Sequence, residues 1–250
     1  MRKYYLFIGA GFAAFVLFTL TSIPARVATN QLPESVRTSG VSGSLWNGTV
    51  RSINITGWQL SDVHWDLNPA ALLIGQLTGN VSADVAGGKI NTDVSVSLFG
   101  AISVSNLKAT GPIVPLATQM KIPVSGGRYQ LKLAVLDIAD EWPTRLIGVI
   151  QVLDVPLNIM GGRGGQTGSY AVAFDAETVA EDGRLSGALS DDGGPIEVNG
   201  VIELTPPGNY EVQAKVKARQ NAPKDIAQAL PLMGPVGSDG KHEFSIAGSL

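Results

Sequence analysis

The stretch Asn80-Val81-Ser82-Ala83-Asp84-Val85-Ala86-Gly87-Gly88-Lys89-Ile90-Asn91-Thr92-Asp93-Val94-Ser95-Val96-Ser97-Leu98 decides the fold. Val81, Ala83 and Val85 alternate with Asn80, Ser82 and Asp84; beyond Gly87-Gly88, Val94, Val96 and Leu98 alternate with Asp93, Ser95 and Ser97. Successive side chains of an extended strand point to opposite faces, so this period of two predicts strands with one buried and one wet face. A glycine pair between two such runs predicts a hairpin.

The same rhythm runs through the rest of the chain. Tyr129, Leu131, Leu133 and Val135 alternate with Gln130, Lys132 and Ala134, and Tyr170, Val172 and Phe174 follow a glycine-rich loop. Ile196, Val198, Ile202 and Leu204 alternate with Glu197, Asn199 and Glu203, while Tyr210, Val212 and Val216 oppose Glu211, Gln213, Lys215 and Lys217. About ten strands are expected, mostly as an antiparallel meander. Composition agrees: charged residues make up 16% of the chain, against about 25% in ordinary domains, and 30 glycines accompany many Val, Ile, Ser and Thr.

Three short segments break the rhythm in a helical way. Asn68-Pro69-Ala70-Ala71-Leu72-Leu73 has a capping side chain followed by proline at the first helical position. Asn221–Leu230 is the second, and Ile113–Met120, with Pro115 near its start, is a weaker third. The order strand, short helix, glycine turn, strand occurs at Ile102–Val135 and again at Tyr210–Ile246, which leaves two tandem β-repeats as an option. The expected fold is all-β: one N-terminal transmembrane helix, then an extended, curved antiparallel sheet, a partly open barrel or groove with a few short connecting helices.

Between Lys3 and Arg26 lie 22 residues without a formal charge. As a helix they would reach about 33 Å, enough for a bilayer core of about 30 Å. Arg2 and Lys3 precede the run, so the positive-inside rule holds Met1 in the cytoplasm and sends the rest across. A cleaved signal peptide competes, but cleavage needs small residues at −3 and −1. Ending at Ala28 puts Arg26 at −3, and ending at Ala25 puts Ile23 there. An uncleaved anchor over Tyr4 to Ile23 is the better reading. The resulting division is residues 1–25 as cytoplasmic start and anchor, 26–43 as an exported stalk, and 44–250 as the β-rich domain.

Without Arg2 and Lys3, the exported part carries 16 cations against 21 anions, a net charge of −5. That balance disfavours nucleic acid as a partner. The absence of cysteine excludes disulfides, thiolate metal sites and a cysteine nucleophile. The two histidines, His64 and His242, are far apart. His64 alternates with Asp62 and Asp66 on the polar side of a strand, which reads as a solvated face, since zinc normally needs three or four protein ligands. Gly161-Gly162-Arg163-Gly164-Gly165 lacks the strand-to-helix setting of a phosphate loop and reads as a hairpin loop. Asp191-Asp192-Gly193-Gly194 lacks the ligand ladder of a calcium loop and reads as a turn. Asn47-Gly48-Thr49, Asn54-Ile55-Thr56 and Asn80-Val81-Ser82 match the glycosylation triplet, a match that arises often by chance in such compositions. No catalytic residue, metal ligand or cofactor site is assigned.

The aromatic segment is more distinctive. Gly43-Ser44-Leu45-Trp46-Asn47-Gly48 precedes Trp58, Leu60, Val63, Trp65 and Leu67, and the apolar register moves from even to odd numbers between Leu60 and Val63. A β-bulge would produce that shift. The rings are expected to cap one end of a sheet core, with Gly43 and Gly48 permitting a tight turn.

A basic start, a single span, then Gly43, Leu45, Trp46 and Gly48 in a Gly-x-Leu-Trp-x-Gly pattern, and a strand from Trp58 through Trp65-Asp66-Leu67-Asn68-Pro69, together resemble protein N of the bacterial type II secretion system, the general secretion pathway. That resemblance implies a non-enzymatic, cofactor-free accessory protein of the inner membrane, single-pass, with its N-terminus cytoplasmic and its bulk periplasmic. Its implied partners are the secretin or inner-membrane platform components of the machinery that exports folded proteins. The alternative is a periplasmic β-groove that binds or conducts lipid between membranes.

Overall fold

The computed structural model describes residues 23–29, 33, 35–55, 58–119, 124–139, 142–157, 166–176, 183–232 and 234–249. The expected span Tyr4 to Ile23 lies outside them except for Ile23, and the loop Gly161–Gly165 lies outside them entirely. Among the described residues, no helix is long and apolar enough to cross a membrane.

The protein is all-β, as the alternation predicts. Among the described residues, thirteen strands form one antiparallel sheet whose order is the chain order: β1 Val36–Gly43, β2 Asn47–Ile55, β3 Trp58–Asn68, β4 Gln76–Val85, β5 Gly88–Ser97, β6 Ile102–Pro112, β7 Arg128–Ala139, β8 Trp142–Pro156, β9 Thr167–Ala176, β10 Leu185–Asp191, β11 Ile196–Thr205, β12 Asn209–Ala218 and β13 His242–Ser249. Helices are short connectors: α1 Ala25–Thr29, a 3-10 turn Pro69–Ile74, α2 Ile113–Gln119, α3 Lys224–Ala229 and a 3-10 turn Leu230–Leu232. The chain divides into two compact units, Met1–Val85 with Asp93–Phe99, and Ala86–Thr92 with Gly100–Leu250.

In the first unit, the sheet begins inside the segment expected as a stalk. Val36–Gly43 pairs with β2 from Val36↔Ile55 to Gly43↔Gly48. Its sequence, Val-Arg-Thr-Ser-Gly-Val-Ser-Gly, is mostly polar because a terminal strand has little to bury. The core here is Val50, Val63 and Ala83, with Val41, Ile53, Leu60, Trp65 and Val85 packed around them. The expected bulge exists: β3–β4 pairing shifts between Ser61 and His64, where Asp62 takes a left-handed φ of 46°. Asn68 caps the 3-10 turn, its side chain accepting from the Ala70 amide at 3.0 Å, and Gly75 ends it at φ 75°.

In the second unit, the two strand–helix–strand segments are realised as β6–α2–β7 and β12–α3–β13. One apolar cluster joins Ile196, Val198, Ala214 and Val216 of the sheet to Ile226 and Leu230 above it. A second joins Leu133, Leu146, Phe174 and Leu185. Several glycines sit within strands rather than turns, each covered by an aromatic ring. Tyr129 lies against Gly88 and Gly111, Phe174 against Gly187, and Tyr210 against Gly248. The ring restores the contact that the missing side chain gives up, which reconciles frequent glycine with long strands.

Candidate functional site

The Gly-x-Leu-Trp-x-Gly segment forms the β1–β2 turn. Gly43 adopts a φ of 87°, and the Ser44 amide donates to the Asn47 carbonyl at 2.8 Å while Ser44 Oγ accepts from the Asn47 amide at 3.0 Å. Gly48 pairs with Trp65, whose ring lies so close that a Cβ at position 48 would overlap its Cζ2. Trp65 Nε1 donates to the Leu45 carbonyl at 2.9 Å, and the Leu67 amide donates to the Trp46 carbonyl. Trp46 itself is buried. The Leu45 amide donates to the Ile23 carbonyl at 2.8 Å, and Pro24 bridges Ser44. Each motif residue therefore helps fix the first hairpin and the segment that enters it. Trp58 is separate: paired with Ile55, it lies at the far end of β3 from Trp65, so the three rings do not cap one end of the sheet together.

His64 stands on the exposed face of β3 between Thr49 and Ser82. Among the described residues, no group of three or more His, Cys, Asp or Glu could hold a metal ion. Asp191, read from sequence as a turn residue, is a buried structural anchor. Its carboxylate accepts from the Val198 amide at 2.7 Å, the Gly193 amide at 3.2 Å and Arg219 Nη2 at 2.6 Å. Burial, and then the Asp191 charge, push the Tyr170 hydroxyl pKa up.

The surface most suited to holding a partner is one that sequence did not single out, the outer edge of β13. Pairing with β12 is regular from Val216↔His242 to Asn209↔Ser249. On its other side, the Glu243 amide donates to the Pro235 carbonyl at 3.0 Å, and the Gly237 amide to the Lys241 carbonyl at 2.8 Å. A strap over Gly234–Lys241 thus covers the start of the edge. Backbone groups alternate sides along a strand, so if the Glu243 amide points outward, those of Ser245, Ala247 and Ser249 do too. Among the described residues no strand follows β13 in the sheet order, and Ser245, Ile246 and Ala247 are exposed. A hollow of about 680 Å³ adjoins this edge, lined by Gly200, Ala214, Lys215, Pro235, Phe244 and Ser245 among others.

The strap is fastened by charge. Lys215 Nζ lies 2.8 Å from Asp239 Oδ2, and Lys241 Nζ lies 2.7 Å from Glu197 Oε1. Hydrogen bonding from Lys215 holds the Asp239 carboxyl pKa below its ordinary value, and Lys241 does the same for Glu197. The reciprocal bond raises the Lys215 pKa. His242 Nδ1 lies 2.9 Å from the Gly234 carbonyl, which can only accept, so that nitrogen carries the proton. Gly234 is required by space, since a Cβ there would overlap the Glu243 carbonyl. The arrangement offers outward backbone donors and acceptors beside a hollow, which is chemistry for pairing with an extended segment.

Comparison with known proteins gives a consistent result. Residues 34–245 match the family model described as type II secretion system (T2SS), protein N. The chain is 24% identical to the type II secretion system protein N of Aeromonas hydrophila, with 100% of each chain covered. It is also 24% identical to the protein of the same name from Vibrio cholerae serotype O1, with 91% of each covered. No solved structure matches significantly.

Proposed function

Because the chain belongs to the type II secretion system protein N family, we propose that it is a non-enzymatic accessory component held to the inner membrane by Tyr4–Ile23, its sheet in the periplasm, and that it works by docking on another part of the machinery. Membership makes it a component of type II secretion. The observation that carries the docking step is the regular, partly open edge of β13. Strand addition draws affinity from backbone hydrogen bonds and specificity from pockets beside the strand. Outward amides at Ser245 and Ala247, next to the hollow lined by Phe244, supply both requirements. Such docking needs no catalytic group. The partner is the secretin or an inner-membrane platform protein. Lipid conduction, the alternative, draws no support from the relatives.

The test follows from the direction of the Ala247 amide. Proline is tolerated in a sheet where the lost N–H faces outward, so Ala247→Pro should leave the β12–β13 ladder intact while blocking an added strand. Deleting the gene should leave exoproteins in the periplasm, and Ala247→Pro, at wild-type protein levels, should do the same in part. Full exoprotein release by the deletion strain would overturn the secretion role; full release by the proline variant alone would overturn the edge.

A further inference from the structure

The first unit carries an apolar tip. Leu73 is 89% exposed, Ile74 75%, Leu98 74% and Phe99 99%, and Leu72 beside them is also exposed. The two segments are tied together: the Leu98 amide donates to the Gly75 carbonyl at 3.2 Å, and Leu98 lies against Gly75. Contiguous exposed apolar groups of this size usually mark a surface that is covered in use.

The ladder places this tip. Ile23 binds Leu45, Trp46 binds Leu67, Asn68 pairs with Thr78, and Gly75 binds Leu98. The end of the charge-free N-terminal run and the apolar tip therefore lie at the same end of the first unit. Ile23 is itself bonded to the sheet, so no slack separates that run from this end. The two turns are themselves free of charge: no Asp, Glu, Lys or Arg occurs between Asp66 and Asp84 or between Asp93 and Lys108, and the nearby charges at this end are Asp66 and Arg26. Desolvating these two turns in hydrocarbon would strand no ionised side chain of their own.

We propose that Leu72–Ile74 and Leu98-Phe99 dip into the lipid bilayer beside the point where the N-terminal segment leaves it, fixing the first unit's orientation to the membrane. This rests on the anchor reading above. Leucine and phenylalanine at such a tip suit insertion into the headgroup and acyl boundary, where apolar faces bury to about 5–10 Å.

The chain has no cysteine, so single spin labels can be placed without background. Leu73→Cys, Phe99→Cys and, as control, Ile55→Cys would be made in the full chain. Ile55 is exposed and pairs with Trp58 at the opposite end of the β2–β3 hairpin. Each labelled protein, checked for a wild-type far-ultraviolet spectrum, would be reconstituted in vesicles of phosphatidylethanolamine and phosphatidylglycerol. Collision with lipid-soluble oxygen and with a water-soluble nickel chelate would then be compared. The expected result is a several-fold higher oxygen-to-nickel ratio at positions 73 and 99 than at 55. A ratio at 99 equal to that at 55 would overturn insertion, and shielding from both reagents would assign the tip to a protein contact instead. Vesicle flotation separates the two readings: a chain that fails to float overturns the anchor and this proposal with it, while a floating chain with a water-exposed tip overturns this proposal alone.

Discussion

Replacing Trp65 tests how the Gly-x-Leu-Trp-x-Gly turn is held. The ring covers Gly48 and donates to the Leu45 carbonyl at 2.9 Å. Truncating a fully buried tryptophan to alanine costs about 3–5 kcal/mol. Trp65 is only half-buried, so Trp65→Ala should cost about 2–3 kcal/mol, of which about 1 kcal/mol is the hydrogen bond. At about 2–4 °C per kcal/mol for a domain of this size, the melting temperature should fall by about 4–12 °C. Trp65→Phe keeps most of the ring and loses the donor, so it should cost about 1 kcal/mol. Gly48→Ala puts a methyl into the ring and within 2.8 Å of the Ser44 carbonyl, an overpacking worth about 1–3 kcal/mol. If the ring is the main obstacle, Gly48→Ala should be milder in the Trp65→Ala background, with a coupling of about 1 kcal/mol. Thermal melts followed by circular dichroism give all four values. Strict additivity together with a neutral Trp65→Phe would refute this account of the turn.

Asp191→Ala removes the acceptor for two amides and Arg219; the carboxylate is 5% exposed, while Arg219 is 37% exposed and can turn to water. The expected loss is about 2–3 kcal/mol, read as a lowered urea midpoint with unchanged slope. Acid should release the strap over β13. Asp239 and Glu197 have folded pKa values below their ordinary ones, so their contribution is complete above the ordinary carboxylate range and fades as pH falls through the folded values. Hydrogen-exchange protection of the Glu243 amide, corrected for intrinsic rate, should fall in that acid window, and Asp239→Asn should lower it already at neutral pH. Gly234→Ala should displace the strap at every pH, exposing the same amide without altering that of Val216.

Much of the architecture was legible because one face of most strands is buried and the other is wet. The bulge at Asp62 shows this well: a period of two that slips by one residue in mid-strand needs an extra residue on that strand, and the ladder shift lies where the slip does. Three strands were harder to read for distinct reasons. β1 is polar because, among the described residues, β2 is its only partner in the sheet. The run Leu146–Leu153 in β8 is apolar on both faces, which erases the alternation. β10 alternates leucine with glycine and other small residues, a weak contrast. The aromatic motif was legible as a turn that supports packing, although Trp58 stands apart from it. The β13 edge was not legible, since what matters there is the direction of backbone amides and the absence of a further strand in the sheet order among the described residues. Likewise the apolar tip joins residues more than twenty positions apart, and only the ladder brings them together.

The docking reading is tested most directly by photo-crosslinking in cells that secrete normally. A benzophenone side chain at Ser245 or Ala247 lies on the open part of the edge, and one at Ser39 on β1 serves as the comparison. A discrete adduct with the secretin or a platform protein from positions 245 and 247, lost with Ala247→Pro when the reporter is at 245, is the expected result. Normal secretion with no adduct from either position, or adducts only with exoproteins in transit, would contradict docking through β13.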